Sequence, residues 1–241
     1  MLWVGQRGEH QAAEGLLQRA LALREGTQGR DHPETVTVLN NLSTTLLELD
    51  RDDEALAAND EALARIGRTY GPEHPLVATF NVARASLLYE RGERGPAAEA
   101  LRAAAKVFEQ TLGADHRDLM IIHNNLGQVL LEDGQAEPAR RAFERALTVA
   151  QVNDLYEQAL VMPALVGLAR ALTELRQDAL ARPRWDEVLA RIDAGQTEAL
   201  DDLPATYRSA AEVYERSGDP ERAAAVRAKA DSPGGSSGRG R

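Results

Sequence analysis

A residue pattern that recurs every 42 positions is the feature of this sequence that most constrains its fold. The pattern is clearest between Gly113 and Gln151, where Ala139 and Ala146 belong to it. The positions in register with these two alanines are alanine in all copies but one, namely Ala13, Ala55, Ala97, Ala181 and Ala223, and Ala20, Ala62, Ala104, Val188 and Ala230. A fixed period of this length indicates an array of stacked supersecondary units.

Each copy of the pattern reads as a helical hairpin. Apolar residues recur with helical spacing on both sides of a turn rich in glycine, proline and acidic residues, which indicates two helices, here called A and B. Aromatic residues make up only 4% of the chain, which favours helices packed through small side chains over a sheet. We therefore predict an all-α fold, a right-handed superhelical α-solenoid of stacked antiparallel helix pairs.

The period also divides the chain into segments. The divisions are residues 1–28 as an incomplete first repeat with a B helix only, 29–160 as three well-matched repeats of 42 residues, 161–230 as two divergent repeats, and 231–241 as a disordered tail. In the first segment we expect a turn at Gly8 and a B helix from Glu9 to Glu25. In the fourth repeat, Pro163 and Pro183 both fall within helical patterns, where each could remove a backbone hydrogen bond and kink its helix.

A glycine, an acid and a histidine recur between the repeats, most clearly at Gly29–Pro33 and Gly71–Pro75. The glycine is expected to end a B helix in the left-handed conformation, and the proline to begin the next A helix. Three histidines, His32, His74 and His116, are thereby spaced 42 residues apart. Successive helices lie about 10 Å apart, whereas a zinc ligand lies at about 2.1 Å. We therefore expect a structural role for these histidines, and no metal or cofactor.

Two further motifs carry a resemblance to a known family. Leu126, Gly127 and Leu130 fit the first-helix pattern L-G-x2-Y, and Ala139, Phe143 and Ala146 fit the second-helix pattern A-x3-F-x2-A. The Asp-His-Pro loop, the 42-residue period and the pair Asn40-Asn41, which returns as Asn124-Asn125, are shared with one subclass. The chain resembles the tetratricopeptide repeat family, and its kinesin-light-chain type in particular, best between Gly29 and Gln151.

The resemblance implies that groove asparagines of the A helices bind partner peptides, and it extends to Asn40, Asn41, Asn124 and Asn125. Helix phase places further polar side chains on the same outward face, namely Thr44, Ser86, Gln128, Arg170 and Arg208. An amide can pair with a peptide backbone, and the two arginines could hold carboxylates. The alternative is that the asparagines only solvate a helix face or form hydrogen bonds between helices.

Composition narrows the function. The formal net charge of −10 argues against binding of nucleic acid, and the chain has no cysteine and no apolar run long enough to span a membrane. It also lacks the nucleotide-binding, zinc-protease, hydrolase and kinase motifs. We expect a cytoplasmic, non-catalytic scaffold that binds a protein or peptide partner in the concave groove.

Two other interpretations stay open. The incomplete first hairpin is consistent with a C-terminal sensor or regulatory fragment of a longer signalling protein, such as a bacterial serine/threonine kinase or a nucleotide-switching ATPase. The same unfinished N-terminal edge, with Leu16, Leu17 and Leu21 nearby, could instead support self-association, because solenoids normally close such edges with a polar capping repeat.

Overall fold

The computed structural model describes residues 2–197, 200 and 202–231, with side chains from residue 8 onward. These residues form eleven α-helices and one short 3-10 helix, with no strand among them. The α-helices are α1 (Leu2–Thr27), α2 (Pro33–Leu47), α3 (Asp52–Tyr70), α4 (Pro75–Glu90), α5 (Arg94–Leu112), α6 (Asp118–Glu132), α7 (Ala136–Val152), α8 (Met162–Glu174), α9 (Asp178–Asp193), α10 (Leu203–Arg216) and α11 (Pro220–Ala230). The prediction of an all-α array of helix pairs is confirmed.

The even-numbered helices α2 to α10 are the A helices, and each packs against the B helix that follows it. The chain divides into two compact units, an N-terminal unit of residues 1–116 and a C-terminal unit of residues 117–241. Helices α1 to α5 lie in the first unit and α6 to α11 in the second. The predicted disordered tail lies outside the described residues apart from Asp231.

Histidine begins the first two A helices. His32 precedes Pro33 as the N-cap of α2, and its Nδ1 accepts a hydrogen bond of 3.3 Å from the Glu34 N–H. His74 caps α4 in the same way, with 3.2 Å to the N–H of Leu76. These bonds satisfy backbone donors that no earlier turn of the helix can reach. The structural role expected for these two histidines is thus an N-cap.

The third copy of this turn differs because Arg117 replaces the proline. Arg117 is the N-cap of α6 and makes no side-chain capping bond, and His116 instead packs its ring against Phe108, with centroids 6.0 Å apart. Proline fixes φ at the first helical position, and without it α6 begins later, at Asp118. The turn therefore keeps its sequence signature and loses its capping geometry.

The glycines that end the B helices do have positive φ, but they are not left-handed helical. Gly71 has φ of 82° and ψ of 166°, and Gly113 has φ of 96° and ψ of 152°. This extended, positive-φ region is open essentially to glycine alone. The expected conformation at these positions is therefore wrong in ψ, and the requirement for glycine is stronger than expected.

All five A helices end in the same hydrogen-bonded turn. A backbone N–H just past the helix bonds back to the carbonyl five residues earlier, as from Arg51 to the Leu46 carbonyl at 3.0 Å and from Gln177 to the Leu172 carbonyl at 3.0 Å. The residue directly before this donor has positive φ, at Asp50, Gly92, Gly134, Arg176 and Gly218. This is the Schellman motif, which satisfies the terminal carbonyls of the helix.

Two expectations about helix breaks are wrong. Helix α1 runs unbroken from Leu2 to Thr27, so Gly8 makes no turn. A single glycine costs a helix only about 1 kcal/mol, and the residues around Gly8 are mostly good helix formers. Pro163 lies at the start of α8, where no backbone donor is required, and only Pro183 lies inside a helix.

An aromatic ring at the second-helix motif fills the core of the C-terminal unit. Phe143 of α7 is fully buried, and a β-carbon added to Gly127 of α6 would lie 2.7 Å from its ring. In the N-terminal unit, Asn59 and Ser43 occupy the positions 84 residues earlier than this pair. Both are fully buried, so a polar pair there replaces the combination of a large ring and a glycine.

Candidate functional site

The A helices that follow one another within each unit lie side by side. Helix α2 contacts α4 in the N-terminal unit, and α8 contacts both α6 and α10 in the C-terminal unit. Side chains that stand out from these helices form two surfaces. The α2–α4 face consists of Thr37, Asn41, Thr44, Thr79 and Ser86, and the α6–α8–α10 face consists of Ile121, Asn124, Asn125, Gln128, Arg170 and Arg208.

Asn40 does not belong to the α2–α4 face, and its predicted outward position is wrong. Asn40 is buried, and its Oδ1 accepts a hydrogen bond of 3.0 Å from Nδ2 of Asn59. The same Nδ2 lies 3.2 Å from the carbonyl oxygen of Phe80. Adjacent residues of a helix differ by about 100° in direction, so Asn41 is exposed while Asn40 turns inward. Asn40 thus follows the alternative interpretation, a hydrogen bond between helices.

The remaining predicted residues of the α2–α4 face are exposed and uncharged. Thr44 and Ser86 are exposed, and the hydroxyl of each donates to the backbone carbonyl four residues earlier, at 3.4 Å in both cases. Helix α4 keeps the register of the array, because Ala85 and Leu88 are buried at the positions equivalent to Gly127 and Leu130. Arg84 stands where the array calls for a leucine, 42 residues before Leu126, and it does not shift this register.

Three amides lie on α6 in the C-terminal unit. Asn124, Asn125 and Gln128 are half-buried. Nδ2 of Asn124 lies 3.4 Å from Oδ1 of Asn125, and Nε2 of Gln128 donates to Oε1 of Glu132 at 2.6 Å. Oδ1 of Asn124 is buried and has no hydrogen-bond partner among the described residues. The amides of Asn125 and Gln128, rather than the Asn124 oxygen, are therefore the groups that this face offers to a ligand.

Two arginines extend this face onto the neighbouring A helices. Arg170 of α8 is half-buried and Arg208 of α10 is exposed. Neither forms an ion pair with any residue that the structure describes. Arg216, the last residue of α10, is different because it forms ion pairs with Asp178, at 2.5 Å, and with Glu212. Arg170 and Arg208 therefore offer guanidinium groups without an internal carboxylate.

Glu174 lies one helical turn beyond Arg170. Burial raises the pKa of the Glu174 carboxyl, and the charge of Arg170 opposes that shift. The carboxyl is thus influenced by the arginine without forming an ion pair with it, which leaves the guanidinium open to a bidentate ligand.

Sequence reasoning missed one residue of this surface. Ile121 of α6 is 53% exposed and lies one and two helical turns before Asn125 and Gln128. Its spacing from these amides is the helical i, i+4, i+7 spacing, which could have identified it. Ile121 adds an apolar contact beside the amides of this face.

Neither a metal site nor a membrane span emerges from the described residues. No three His, Asp or Glu side chains among them come close enough together to hold a metal ion. In the same part of the chain, no helix combines the length and apolar character required to cross a bilayer.

Comparisons with known proteins agree with this architecture. A family model described as tetratricopeptide repeat matches residues 4–66 and 79–151. No curated protein matches the chain in sequence. Many solved structures match the chain in fold.

The crystal structure of BtubC (BKLC) from P. vanneervenii matches with a TM-score of 0.75 and 21% identity, over 96% of this chain and 90% of that one. The nearly identical TPR-like repeats of a putative kinesin light chain from Podosopora anserina match with a TM-score of 0.69 and 20% identity, over 83% and 95%. YrrB, a TPR protein with an unusual peptide-binding site, matches with a TM-score of 0.60 and 18% identity, over 88% and 90%. At these identities the likeness concerns the fold.

Proposed function

The chain belongs to the tetratricopeptide repeat family, and from that premise we propose that it is a non-catalytic scaffold whose A-helix faces hold a segment of a partner protein. The surfaces of stacked A helices are the ones that such arrays use for binding. The α6–α8–α10 face is the stronger of the two here, because it combines open amides, an apolar side chain and cations.

The observation that carries this proposal is the state of Arg170 and Arg208. Most half-buried arginines among the described residues pair with a carboxylate of the chain, as Arg182 does with Asp219 at 2.7 Å. Arg170 and Arg208 lie on contacting A helices and pair with no described residue. A carboxylate-bearing segment would supply the missing partner, and bidentate geometry would fix its orientation.

Amides would hold the rest of such a segment. The Asn125 and Gln128 side chains can bond to a peptide backbone in either sense, since an amide carries both donor and acceptor. Ile121 would cover an apolar side chain of the partner. YrrB, which shares the fold, is a peptide-binding TPR protein, which supports the assignment of a peptide ligand.

Fluorescence anisotropy with defined probes tests this function. The probe is a labelled Gly-Ser octapeptide that ends in two aspartates and a free carboxylate, and its amidated asparagine analogue is the neutral probe. Arg170→Ala with Arg208→Ala should weaken binding of the acidic probe about tenfold, equivalent to about 1.4 kcal/mol. The neutral probe should bind weakly to both proteins.

A matched pair on the B helices provides the control. Arg102 of α5 and Arg141 of α7 are also exposed and form no ion pair with a described residue. The double variant Arg102→Ala with Arg141→Ala changes net charge equally and should leave binding within about twofold, because these arginines lie on B helices, outside the A-helix face. Equal losses in both double variants would show a bulk charge effect and contradict the proposed site.

A specific observation favours a second function, association between copies through α1. Leu16 and Leu23, seven residues apart on one face of α1, are 66% and 68% exposed, whereas Leu21 on the opposite side packs into the core. Each later B helix packs against the A helix that precedes it, whereas no A helix precedes α1 among the described residues. We propose that a second copy covers Leu16 and Leu23.

Light scattering tests the association. Leu16→Glu with Leu23→Glu should convert a dimer into a monomer, because burying two unpaired carboxylates at the contact carries a large desolvation penalty. Leu180→Glu, at an apolar position of α9 that is 57% exposed, is the control and should leave the mass unchanged. A monomeric wild-type protein at about 100 µM would exclude a stable dimer of this kind.

A further inference from the structure

The α2–α4 face repeats one chemical pattern on two contacting helices. Thr37 and Thr44 of α2 lie 42 residues before Thr79 and Ser86 of α4, so hydroxyls occupy matching positions on both helices. The equivalent positions of α6 hold Ile121 and Gln128, so the hydroxyl pattern does not extend to that helix. This surface differs in chemistry from the α6–α8–α10 face and requires a separate account.

The hydroxyl protons on this surface point back to the helices. Thr37 Oγ1 donates to the Pro33 carbonyl at 2.8 Å, and Thr79 Oγ1 donates to the Pro75 carbonyl at 3.2 Å. A hydroxyl whose single proton is used in this way retains only acceptor lone pairs. Thr44 and Ser86 make longer bonds of the same kind, at 3.4 Å. The hydroxyls therefore offer acceptors toward solvent.

Two glutamates extend the acceptor pattern at the end of each helix. Glu48 follows the last turn of α2, and Glu90, which lies 42 residues later, is the last residue of α4. Both are exposed, and neither forms an ion pair with a described residue. A carboxylate at a helix C-terminus is repelled by the helix dipole, so these glutamates do not serve the stability of their helices.

The nearby cations are already paired. Arg84 of α4 is half-buried and paired with Asp60 of α3. Arg91, which follows Glu90, pairs with Asp53 and with Glu93, the latter at 2.9 Å. Neither guanidinium is left to neutralise the acceptors of the α2–α4 face, so these acceptors are open to donors of another molecule.

We propose that the α2–α4 face binds a basic segment of a partner protein, with lysine or arginine side chains donating to the hydroxyls and to Glu48 and Glu90. A lysine ammonium carries three donors and no acceptor, which matches a surface that only accepts. Asn41, exposed between the hydroxyls of α2, can bond to the backbone of the same segment. This inference rests on the proposed scaffold function and assigns the chemistry of one ligand.

Anisotropy with a basic probe tests the inference on the full chain. The probe is a labelled Gly-Ser octapeptide with two lysines in its centre, measured at low ionic strength because exposed charge pairs are screened by salt. Glu48→Gln with Glu90→Gln should weaken its binding about tenfold. Thr44→Val with Ser86→Ala, which leaves the charge unchanged, should weaken it about threefold.

Glu73 and Glu99 provide a matched control in the same unit. Both are exposed, and neither has an ion pair with a described residue. Glu73→Gln with Glu99→Gln removes the same charge away from the α2–α4 face and should leave binding of the lysine probe within about twofold. Equal weakening by the two glutamine pairs, or no effect of the hydroxyl variant, would overturn the inference in favour of non-specific attraction.

The acidic probe keeps this outcome separate from that of the proposed function. If the acidic probe depends on Arg170 and Arg208 while the lysine probe does not bind, the scaffold function holds and the inference about the α2–α4 face fails. If both probes fail to bind, the two proposals fail together. Circular dichroism melting of each variant establishes that a loss of binding is not a loss of fold.

Discussion

The ring of Phe143 lies so close to Gly167 that a β-carbon added to this glycine would stand 2.3 Å from the ring Cζ. The same ring meets Gly127 on the other A helix, at 2.7 Å from its virtual β-carbon. Phe143 has no exposed surface, so it has no solvent-filled space into which it could swing. One aromatic side chain of α7 therefore requires a glycine on each of α6 and α8.

Replacing Gly167 with alanine should destabilise the protein although alanine is the better helix former. Overpacking a close-packed core costs about 1–3 kcal/mol, which exceeds the gain of about 1 kcal/mol in helix propensity. We expect Gly167→Ala to lower the midpoint of urea unfolding.

Gly15 provides the control. A β-carbon at Gly15, within α1, would meet no atom within 4 Å. Gly15→Ala should therefore raise stability by about 0.5–1 kcal/mol. Equal shifts for Gly15→Ala and Gly167→Ala would contradict the role assigned to the Phe143 ring.

Arg176 should be replaceable by glycine with a gain in stability. It has φ of 59° in the turn that ends α8, where Gly92, Gly134 and Gly218 occupy the equivalent positions of other A helices. A residue with a side chain is strained by about 1–2 kcal/mol in this conformation. Glycine removes the strain, but its greater freedom in the unfolded state offsets part of the gain. We expect Arg176→Gly to raise the free energy of unfolding by about 0.5–1 kcal/mol.

The reverse substitution at an equivalent position checks the same argument. Gly134 has φ of 74°, and Gly134→Ala should lower the free energy of unfolding by about 1 kcal/mol. A lower unfolding midpoint for Arg176→Gly would show that contacts of the arginine outweigh its backbone strain.

Asn40 and Asn41 should separate stability from binding although they are adjacent. Asn40→Ala leaves the buried Asn59 amide without one of its partners, which should cost about 1–3 kcal/mol in unfolding free energy. Asn41 is exposed, and Asn41→Ala should stay within about 0.5 kcal/mol of wild type. Binding of the lysine probe should respond in the opposite order, falling for Asn41→Ala and persisting for Asn40→Ala in folded protein.

The pair of Asp178 and Arg216 should make stability depend on pH in the acidic range. The hydrogen bond from Arg216 holds the pKa of the Asp178 carboxyl below its ordinary value of 3.8. A depressed folded-state pKa contributes stability above the unfolded-state pKa, and this stability is lost as pH falls through the folded-state value. Asp178→Asn should therefore lower the free energy of unfolding by about 1 kcal/mol near neutral pH. The variant should approach wild type as pH falls below the folded-state pKa of Asp178.

Asp193 provides the comparison for this pH profile. It pairs with Lys229 at 2.7 Å, with its side chain 58% exposed, and such pairs contribute little in water. Asp193→Asn should follow the wild-type profile from neutral to acidic pH, as followed by thermal melting. A wild-type profile for Asp178→Asn as well would contradict the contribution assigned to Arg216.

The sequence predicted the array because its repeats constrain one another. The 42-residue register of Ala139 and its equivalents identifies the buried side of every B helix, and stacking requires the same register throughout. Arg84 did not shift α4 out of this register, because its guanidinium reaches Asp60 while Ala85 stays buried. At this exception the side chain of Arg84 turns to a partner, and the backbone of α4 keeps its register.

The details that were mispredicted depend on contacts that lie far apart in the sequence. Asn40 turned inward because Asn59 stands where Phe143 stands in the C-terminal unit, and a polar group in a core draws a polar partner. Gly8 made no turn because a glycine ends a helix only where other contacts require a reversal. The choice between an exposed and a buried asparagine is set by one residue step of helix phase, which tertiary contacts decide.

Binding on the A-helix faces is the central claim, and its most direct measurement is an NMR titration of side-chain resonances. The acidic octapeptide is added to protein labelled with nitrogen-15, and the Nε–Hε signals of Arg170 and Arg208 are followed with those of Arg141. We expect saturable shifts at Arg170, Arg208 and the Asn125 amide, with Arg141 unchanged. Shifts of equal size at Arg141, or none that saturate, would contradict a binding site on these helices.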